Sequence, residues 1–302
     1  MFDYRYHALS LAAVLLALAV GVVIGVAIGD SSLVSSAKSG IVHDLSAEVS
    51  GAQREAGELR TRLANEEAFS SQLYPIAVHG LLGGRDIGLV FLGESSDQLN
   101  SLVSDAVTQA GGDLMTVVAV REPLDLTGLA SAAGGTVYGT LGGPLASAQG
   151  GTRLVERFGA LAGRQLVSGG VLVNRELLSR VRGPLFSAFD GLLGKLEGLV
   201  LVRADPSAMN TEQTQVSDAF ESGLLAGAAA VGVPVVGVEL TSTEPSQVPW
   251  YQSKGISSVD DLDGTAGQAA LIYTLAGSRG AFGTRPTADS LLPSVAGGPA
   301  SP

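Results

Sequence analysis

Residues 86–97 read DIGLVFLGESSD, an apolar run that passes through a glycine into a polar turn. A continuous apolar run, without alternation of polar residues, is typical of a parallel strand that is buried on both faces. Ser95 or Ser96 is suited to cap a helix that we expect to run to about residue 110. This stretch therefore predicts a strand, a turn and a helix, the repeating unit of parallel α/β sheets.

The same signal recurs through the rest of the chain. Further apolar strands are predicted at 114–120, 198–203 and 233–239. Helices are predicted near 152–166, 175–182, 211–230 and 265–276. The alternation predicts an α/β fold with an open, mostly parallel, doubly wound sheet. The segment 128–151 is rich in Gly, Ala and Ser, and we expect it to be a long loop.

An apolar segment lies at the N-terminal end of the chain. Residues 8–28 contain no charged side chain, and an α-helix of that length spans about 32 Å, the thickness of a bilayer core. We predict an uncleaved transmembrane signal anchor; a signal peptide cleaved near Gly25-Val26-Ala27 is the alternative. Arg5 precedes the segment and Asp30 follows it, which predicts a cytoplasmic N-terminus and an extracytoplasmic remainder.

Small residues recur at every fourth position of this segment. They would line one face of the helix: Ala13, Ala17, Gly21, Gly25 and Gly29. In lipid, such a face lets two helices approach closely, so it predicts a packing seam between two copies of the chain. The alternative is that the stripe reflects the abundance of glycine, of which the chain has 41.

A heptad pattern follows the apolar segment. Its apolar seam positions are Val42, Leu45, Val49, Ala52, Ala56, Leu59, Leu63 and Leu73. A pattern sustained over four heptads predicts a coiled-coil stalk, and hence a homodimer, that ends at Pro75. A single amphipathic helix folded back onto the globular domain is the alternative.

Composition excludes several classes of protein. The formal net charge of −11 argues against nucleic-acid binding. The chain has no cysteine, and its three histidines, His7, His43 and His79, lie outside the predicted α/β domain. We found no phosphate-binding, dinucleotide-binding or hydrolase motif and therefore expect no enzyme activity, no cofactor and no metal site.

One loop of the predicted sheet is a candidate for a ligand pocket. It follows the first strand and comprises Gly93, Glu94, Ser95 and Ser96. Backbone N–H groups at the start of a helix can bind an anion there. The alternative is ordinary helix capping.

Two motifs carry a family resemblance. MFDYRYHALSL at 1–11 runs into the apolar segment, and GISSVDDLDGTAGQAALIYTLA at 255–276 is followed by LLP at 291–293. The chain resembles the mycobacterial copper transport protein B family of actinobacterial envelope proteins. That resemblance implies a part in copper efflux or homeostasis and an outer-membrane location. It also implies links to envelope integrity and to the control of septal wall hydrolases through the stalk.

Two function hypotheses follow. The first is a membrane-anchored protein that supports copper efflux, with copper implied by the resemblance alone. The second is a dimeric scaffold that binds another protein of the cell envelope. The predicted parts are an N-terminus at 1–7, an anchor at 8–29, a coiled-coil stalk at 38–74, an α/β domain at 84–278 and a disordered tail at 279–302.

Overall fold

The structure is a computed structural model that describes residues 4–29, 31–133, 151–169 and 172–294. The chain divides into two units, residues 1–68 and residues 69–302. Within the described residues, the first unit is helical and the second holds every strand.

Two helices account for the described part of the first unit. Helix α1 covers Tyr4–Ile28, and helix α2 covers Ser31–Val78 and so ends within the second unit. The prediction that Pro75 ends the helix is wrong, because α2 continues through it. Proline removes one backbone hydrogen bond from a helix. Tyr74 and Val78 are buried in the core of the second unit, and this packing keeps the last turn helical.

One sheet organises the second unit. Its strands are β1 (Asp86–Leu92), β2 (Asp113–Val120), β3 (Phe186–Gly191), β4 (Gly198–Arg203), β5 (Val235–Val238), β6 (Ser257–Val259) and β7 (Ala281–Phe282). They lie in the order β3-β2-β1-β4-β5-β6-β7. Every neighbouring pair is parallel except β2 and β3, which are antiparallel. The predicted α/β fold with a mostly parallel open sheet is confirmed.

Helices cover both faces of this sheet. They are α3 (Asp97–Gln109), α4 (Leu126–Ala133), α5 (Gly151–Ser168), α6 (Leu172–Leu185), α7 (Thr211–Ala229), α8 (Val248–Ser253) and α9 (Thr265–Leu275). One core joins α3, α9 and the end of α2 to strand residues such as Leu89 and Phe91. The other core joins α4 to α8 with Val90 and Leu92. Successive strand residues face opposite sides, so a continuously apolar strand fills both cores.

The structure contains three strands that were not predicted. Strand β3 lies at the antiparallel edge, and most of its side chains are partly or fully exposed. Strands β6 and β7 have three and two residues. Neither partial exposure nor such short length produces the continuous apolar run on which the prediction depended.

The prediction of a disordered tail from residue 279 is wrong for its first part. Residues Ala281–Phe282 form β7 beside β6. The Asp260 carboxylate then accepts the backbone N–H of Thr284 at 2.8 Å, which fixes the chain after the strand. Residues 295–302 lie outside the described residues.

The segment predicted as a long loop, residues 128–151, begins as a helix. Helix α4 continues to Ala133, and Leu129 and Ala130 are buried in the core beneath it. Because this segment is rich in small residues, its sequence shows no clear helical periodicity, and the short helix was not predicted. Residues 134–150 lie outside the described residues.

Helices α5 and α7 pack backbone against backbone. Four glycines line the crossing, Gly159 and Gly163 on α5 and Gly223 and Gly227 on α7. A Cβ atom on any of them would overlap a backbone carbonyl oxygen of the facing helix. The four glycines therefore set the distance between these two helices.

Candidate functional site

The strand order reverses between β1 and β4. Strand β2 lies on one side of β1, whereas β5, β6 and β7 follow beyond β4. In doubly wound sheets, ligands bind outside the carboxyl ends of the strands at such a switch point. The loops after β1, β2 and β4 meet at this edge and define the candidate site.

The loop after β1 contains the predicted pocket residues. Ser96 caps α3, and its Oγ accepts the N–H of Leu99 at 3.3 Å. Glu94 and Ser95 are exposed to solvent. Helix capping thus accounts for Ser96, and anion binding at this loop stays a prediction.

Gly93 brings the three loops together. Its φ of 108° lies in the region that glycine adopts readily. A Cβ at this position would lie 2.7 Å from the Cβ of Ala204 and 3.6 Å from Glu122 Oε2. A Cβ here would therefore push apart the loops after β1 and β4, whereas its distance to Glu122 in the loop after β2 is an ordinary contact.

A buried arginine occupies the carboxyl end of β4. Arg203 donates from Nε to Glu221 Oε2 at 3.0 Å and from Nη1 to Gln247 Oε1 at 2.7 Å. Its guanidinium carbon lies 4.5 Å from the ring centroid of Trp250. The backbone N–H of Arg203 donates to the hydroxyl of buried Tyr251 at 3.0 Å. The arginine thus joins β4 to α7 and α8, and both of its charge-assisted bonds are shielded from water.

Two carboxyl groups adjoin this arginine. Burial, and after it the charge and the hydrogen bond of Glu221, raise the pKa of Glu122 to about 9 against the opposing effect of Arg203. Oε1 of Glu122 and Oε1 of Glu221 are buried without a hydrogen-bond partner in the described chain. At neutral pH the Glu122 carboxyl is therefore protonated and uncharged, and Arg203 forms its ion pair with Glu221.

Replacing Glu122 with glutamine is expected to flatten the dependence of the unfolding free energy on pH. The pKa of this carboxyl is raised from 4.5 to about 9 on folding, so the wild-type fold loses stability as the pH rises through that interval. Glutamine has a similar shape and does not titrate. Relative to the wild type, we expect the variant to gain on the order of 2 kcal/mol between about pH 5 and pH 8.

Urea unfolding across that pH range measures this effect, with the fluorescence of Trp250, the single tryptophan of the chain, as the signal. Glu94→Gln is the matched control, because Glu94 is an exposed carboxylate at the same edge of the sheet. The control should follow the wild-type pH profile. An unchanged pH slope in Glu122→Gln would contradict the raised pKa of Glu122.

Sequence reasoning missed this charge cluster. Arg203 ends the strand GLVLVR, and all six of its residues are buried. Glu221 lies on α7 among buried neighbours such as Phe220 and Leu224. Two features of the sequence could have indicated the cluster. One is a charged residue at the end of an apolar strand, and the other is a carboxylate within the apolar face of a helix. Spacing along the chain does not show that the two meet.

A second ionic contact lies at the same edge of the sheet, beyond β4. Arg285 Nε lies 3.2 Å from Glu239 Oε1, and Glu239 Oε2 accepts the backbone N–H of Gln247 at 2.6 Å. Burial raises the pKa of Glu239, although Ser246, Gln247 and Arg285 oppose the shift. These contacts attach the segment after β7 to the loop after β5.

The described residues contain no group of three or more His, Cys, Asp or Glu side chains that could hold a metal ion. Met115 packs against the core on one face of the sheet. The Ser217 hydroxyl donates to the Met209 sulfur at 3.6 Å. Both methionine side chains are thus engaged in contacts within the domain.

Helix α1 is a candidate membrane span. Residues 5–27 are apolar enough and long enough to cross a bilayer, and none of that window is buried within the chain. A signal sequence satisfies the same criteria, so both alternatives for this segment remain. Gly21 and Gly25 have open space where a Cβ would lie. Their helix face is free to pack against another helix, and the seam stays a prediction.

The predicted stalk seam lies on α2. Leu59 and Leu63 expose 55% and 56% of their surface, and Leu45 and Val49 are exposed as well. The other seam residues are Ala52 and Leu73, which are exposed, Ala56, which is half-buried, and Val42, whose side chain lies outside the described residues. A stripe of this kind leaves apolar surface in water unless a partner covers it. The coiled coil itself stays a prediction.

These features define a class of protein: a doubly wound α/β domain preceded by an apolar N-terminal helix and a long second helix. The chain belongs to the family described as "Copper transport outer membrane protein, MctB", which matches residues 1–293. The family predicted from the two sequence motifs is confirmed.

Curated relatives agree with this membership. The chain is similar to the copper transporter MctB of Mycobacterium tuberculosis and of Mycobacterium bovis, with 34% identity over 122 residues in each case. The protein of the same name from Mycobacterium leprae is also 34% identical over 122 residues. The alignment covers 40% of this chain and 38% of each relative, so the chain spans well under half the length of the curated relatives it matches.

Proposed function

We propose that this chain is a membrane-anchored envelope protein that supports copper efflux or copper homeostasis. The family match over residues 1–293 carries the proposal. The relatives named as copper transporters support it through a shorter aligned segment. Copper is the cargo in this proposal and is assigned to no residue of the chain.

Helix α1 is the anchor in this proposal, and the α/β domain lies outside the cytoplasm. The apolar window at 5–27 supports the anchor. Arg5 before it and Asp30 after it support the orientation, because basic residues favour the cytoplasmic side. An anchor with a cytoplasmic N-terminus lies in the cytoplasmic membrane, and the outer membrane that the family description names is the alternative location.

Deleting the gene is expected to raise cell-associated copper and to lower copper tolerance in the bacterium that carries it. Elemental analysis of washed cells and growth across a copper series measure the two effects. The full-length chain should restore both values, and a chain that lacks residues 4–28 should restore neither, because it has no anchor. Normal copper content and tolerance in the deletion strain would overturn the proposal.

The exposed seam of α2 favours a second candidate function, a homodimeric scaffold. We propose that the stalk pairs two copies and that the assembly binds and regulates another protein of the cell envelope, such as a septal wall hydrolase. The exposed apolar residues Leu45, Val49, Leu59 and Leu63 support this role. In this second function the chain acts by binding other proteins.

The two functions predict different phenotypes. Under the scaffold function, loss of the dimer produces a cell-separation defect while copper tolerance is unchanged. A seam variant with normal copper tolerance and unseparated cells would favour the scaffold. A deletion strain with normal separation and lowered copper tolerance would favour the copper function.

A further inference from the structure

Charged side chains flank the stalk seam in an ordered pattern. In the heptad that begins at Val42, Glu55 and Arg62 occupy g positions, and Arg60 and Glu67 occupy e positions. All four charged side chains are exposed. Among the residues that the structure describes, no ion pair involves any of the four. They are therefore free to contact another helix.

We propose that a second copy of this chain binds the seam in parallel and in register. In that arrangement, each g residue faces the e residue five positions further along the other helix. Glu55 then faces Arg60 of the second copy, and Arg62 faces Glu67 of the second copy. This inference rests on the homodimer proposed above and adds its direction, its register and its interhelical ion pairs.

Charge complementarity favours this direction over the reverse. The two-fold symmetry of a parallel dimer forms each of the two pairs twice, which gives four attractive contacts. In an antiparallel dimer, g faces g and e faces e. The best antiparallel alignment of the same seam layers places Glu55 of each copy opposite Arg62 of the other, which gives two attractive contacts. Exposed pairs contribute little stability but discriminate between pairing modes.

The geometry of the seam is compatible with close parallel contact. Ala52 and Ala56 are small, so two helices can approach at these layers. Gly51 and Gly57 fall at outward heptad positions, and a Cβ there would meet open space. Both copies would also carry the N-terminal anchor proposed above. Their stalk helices would therefore leave the membrane on the same side and run in the same direction.

Disulfide trapping tests the register, and the cysteine-free sequence makes it a clean experiment. Ala52→Cys and Leu63→Cys place a thiol at seam positions of the full-length protein in its membrane. In a parallel dimer in register, each cysteine meets its own copy at about 6 Å between Cα atoms, within disulfide reach. We expect both variants to form linked dimers on mild oxidation. Thr61→Cys, at an outward position, should remain unlinked.

The result separates failure of the register from failure of the dimer. In an antiparallel dimer a residue meets its own copy only at the centre, and residues 52 and 63 lie about 16 Å apart along the helix. Cross-linking of only one variant or of neither, while light scattering gives the mass of a dimer, would overturn the register and leave the homodimer intact. A monomer mass with no cross-linking would overturn both.

A charge swap supplies a second, independent readout. Glu55→Arg places like charges opposite each other in the proposed register, and we expect roughly fivefold weaker dimerisation at low salt. Adding Arg60→Glu in the same chain should restore the wild-type dissociation constant. In the antiparallel alignment Arg62 faces residue 55, so the second change would rescue nothing. Failure of the rescue would overturn the register.

Discussion

A full-length protein in which Gly163 is replaced by leucine is expected to lose its native α/β domain. A Cβ on Gly163 overlaps the carbonyl oxygen of Leu224 on the facing helix, so α5 and α7 must separate to admit a side chain. Separation would break the contact between Phe158 and Phe220, whose ring centroids lie 6.1 Å apart. Overpacking against movable side chains costs about 1–3 kcal/mol.

At Gly163 the neighbouring atoms belong to the backbone of the facing helix, which cannot change rotamer as a side chain can. We therefore expect a loss of roughly 5 kcal/mol or more, comparable to the whole stability of many domains. Circular dichroism, thermal unfolding and limited proteolysis measure it. Gly163→Ala should fall between the wild type and the leucine variant.

Gly57→Ala is the matched control for this prediction. Gly57 also lies within a helix, α2, but a Cβ there meets nothing within 4 Å. Alanine is the better helix former by about 1 kcal/mol, so the control should keep or slightly raise the melting temperature. A wild-type melting temperature in Gly163→Leu would contradict the backbone contact between α5 and α7.

The glycine spacing shows how far sequence reasoning reaches. Small residues at every fourth position of α1 predicted close helix packing, and the same spacing recurs at Gly159 and Gly163 and at Gly223 and Gly227. In the structure, the close contact is between the two glycine pairs, on α5 and α7, inside the α/β domain. The spacing identifies a face able to pack closely. It does not identify the helix that will cover it.

The sheet was predictable where its strands are buried on both faces. Strand β1 fills both cores, so its residues are apolar without interruption, and its predicted bounds Asp86–Leu92 agree with the structure. Strand β3 presents Ser187 and Asp190 to solvent, and its partner β2 pairs with it in the antiparallel direction. Its sequence thus carries no signal that separates it from a loop.

The candidate site was predictable in place but not in composition. The loop Gly93–Ser96 does lie at the switch point of the sheet. The side chains that give this edge its electrostatic character are Glu122, Arg203 and Glu221, which are up to about a hundred positions apart in the chain. Such a cluster depends on register and helix rotation, which periodicity does not determine.

Replacing Leu59 and Leu63 together with aspartate is expected to abolish the proposed homodimer and leave the α/β domain intact. Both leucines are more than half exposed in the single chain, so the change costs the monomer little. In a dimer the four introduced carboxylates would be removed from water and brought near each other. Burying charges in this way costs several kcal/mol, so we expect dimerisation at least roughly a thousandfold weaker.

Light scattering of the detergent-solubilised full-length protein measures its mass, and thermal unfolding monitors the α/β domain. Thr61→Asp adds a charge between the same two layers at an outward position and should remain dimeric. A monomer mass for the wild type would exclude the stalk dimer, and a dimer mass for the double variant would place the interface elsewhere. Because Leu59 and Leu63 are members of neither hydrophobic core of the α/β domain, a loss of mass at an unchanged melting temperature would indicate a surface that a second chain covers.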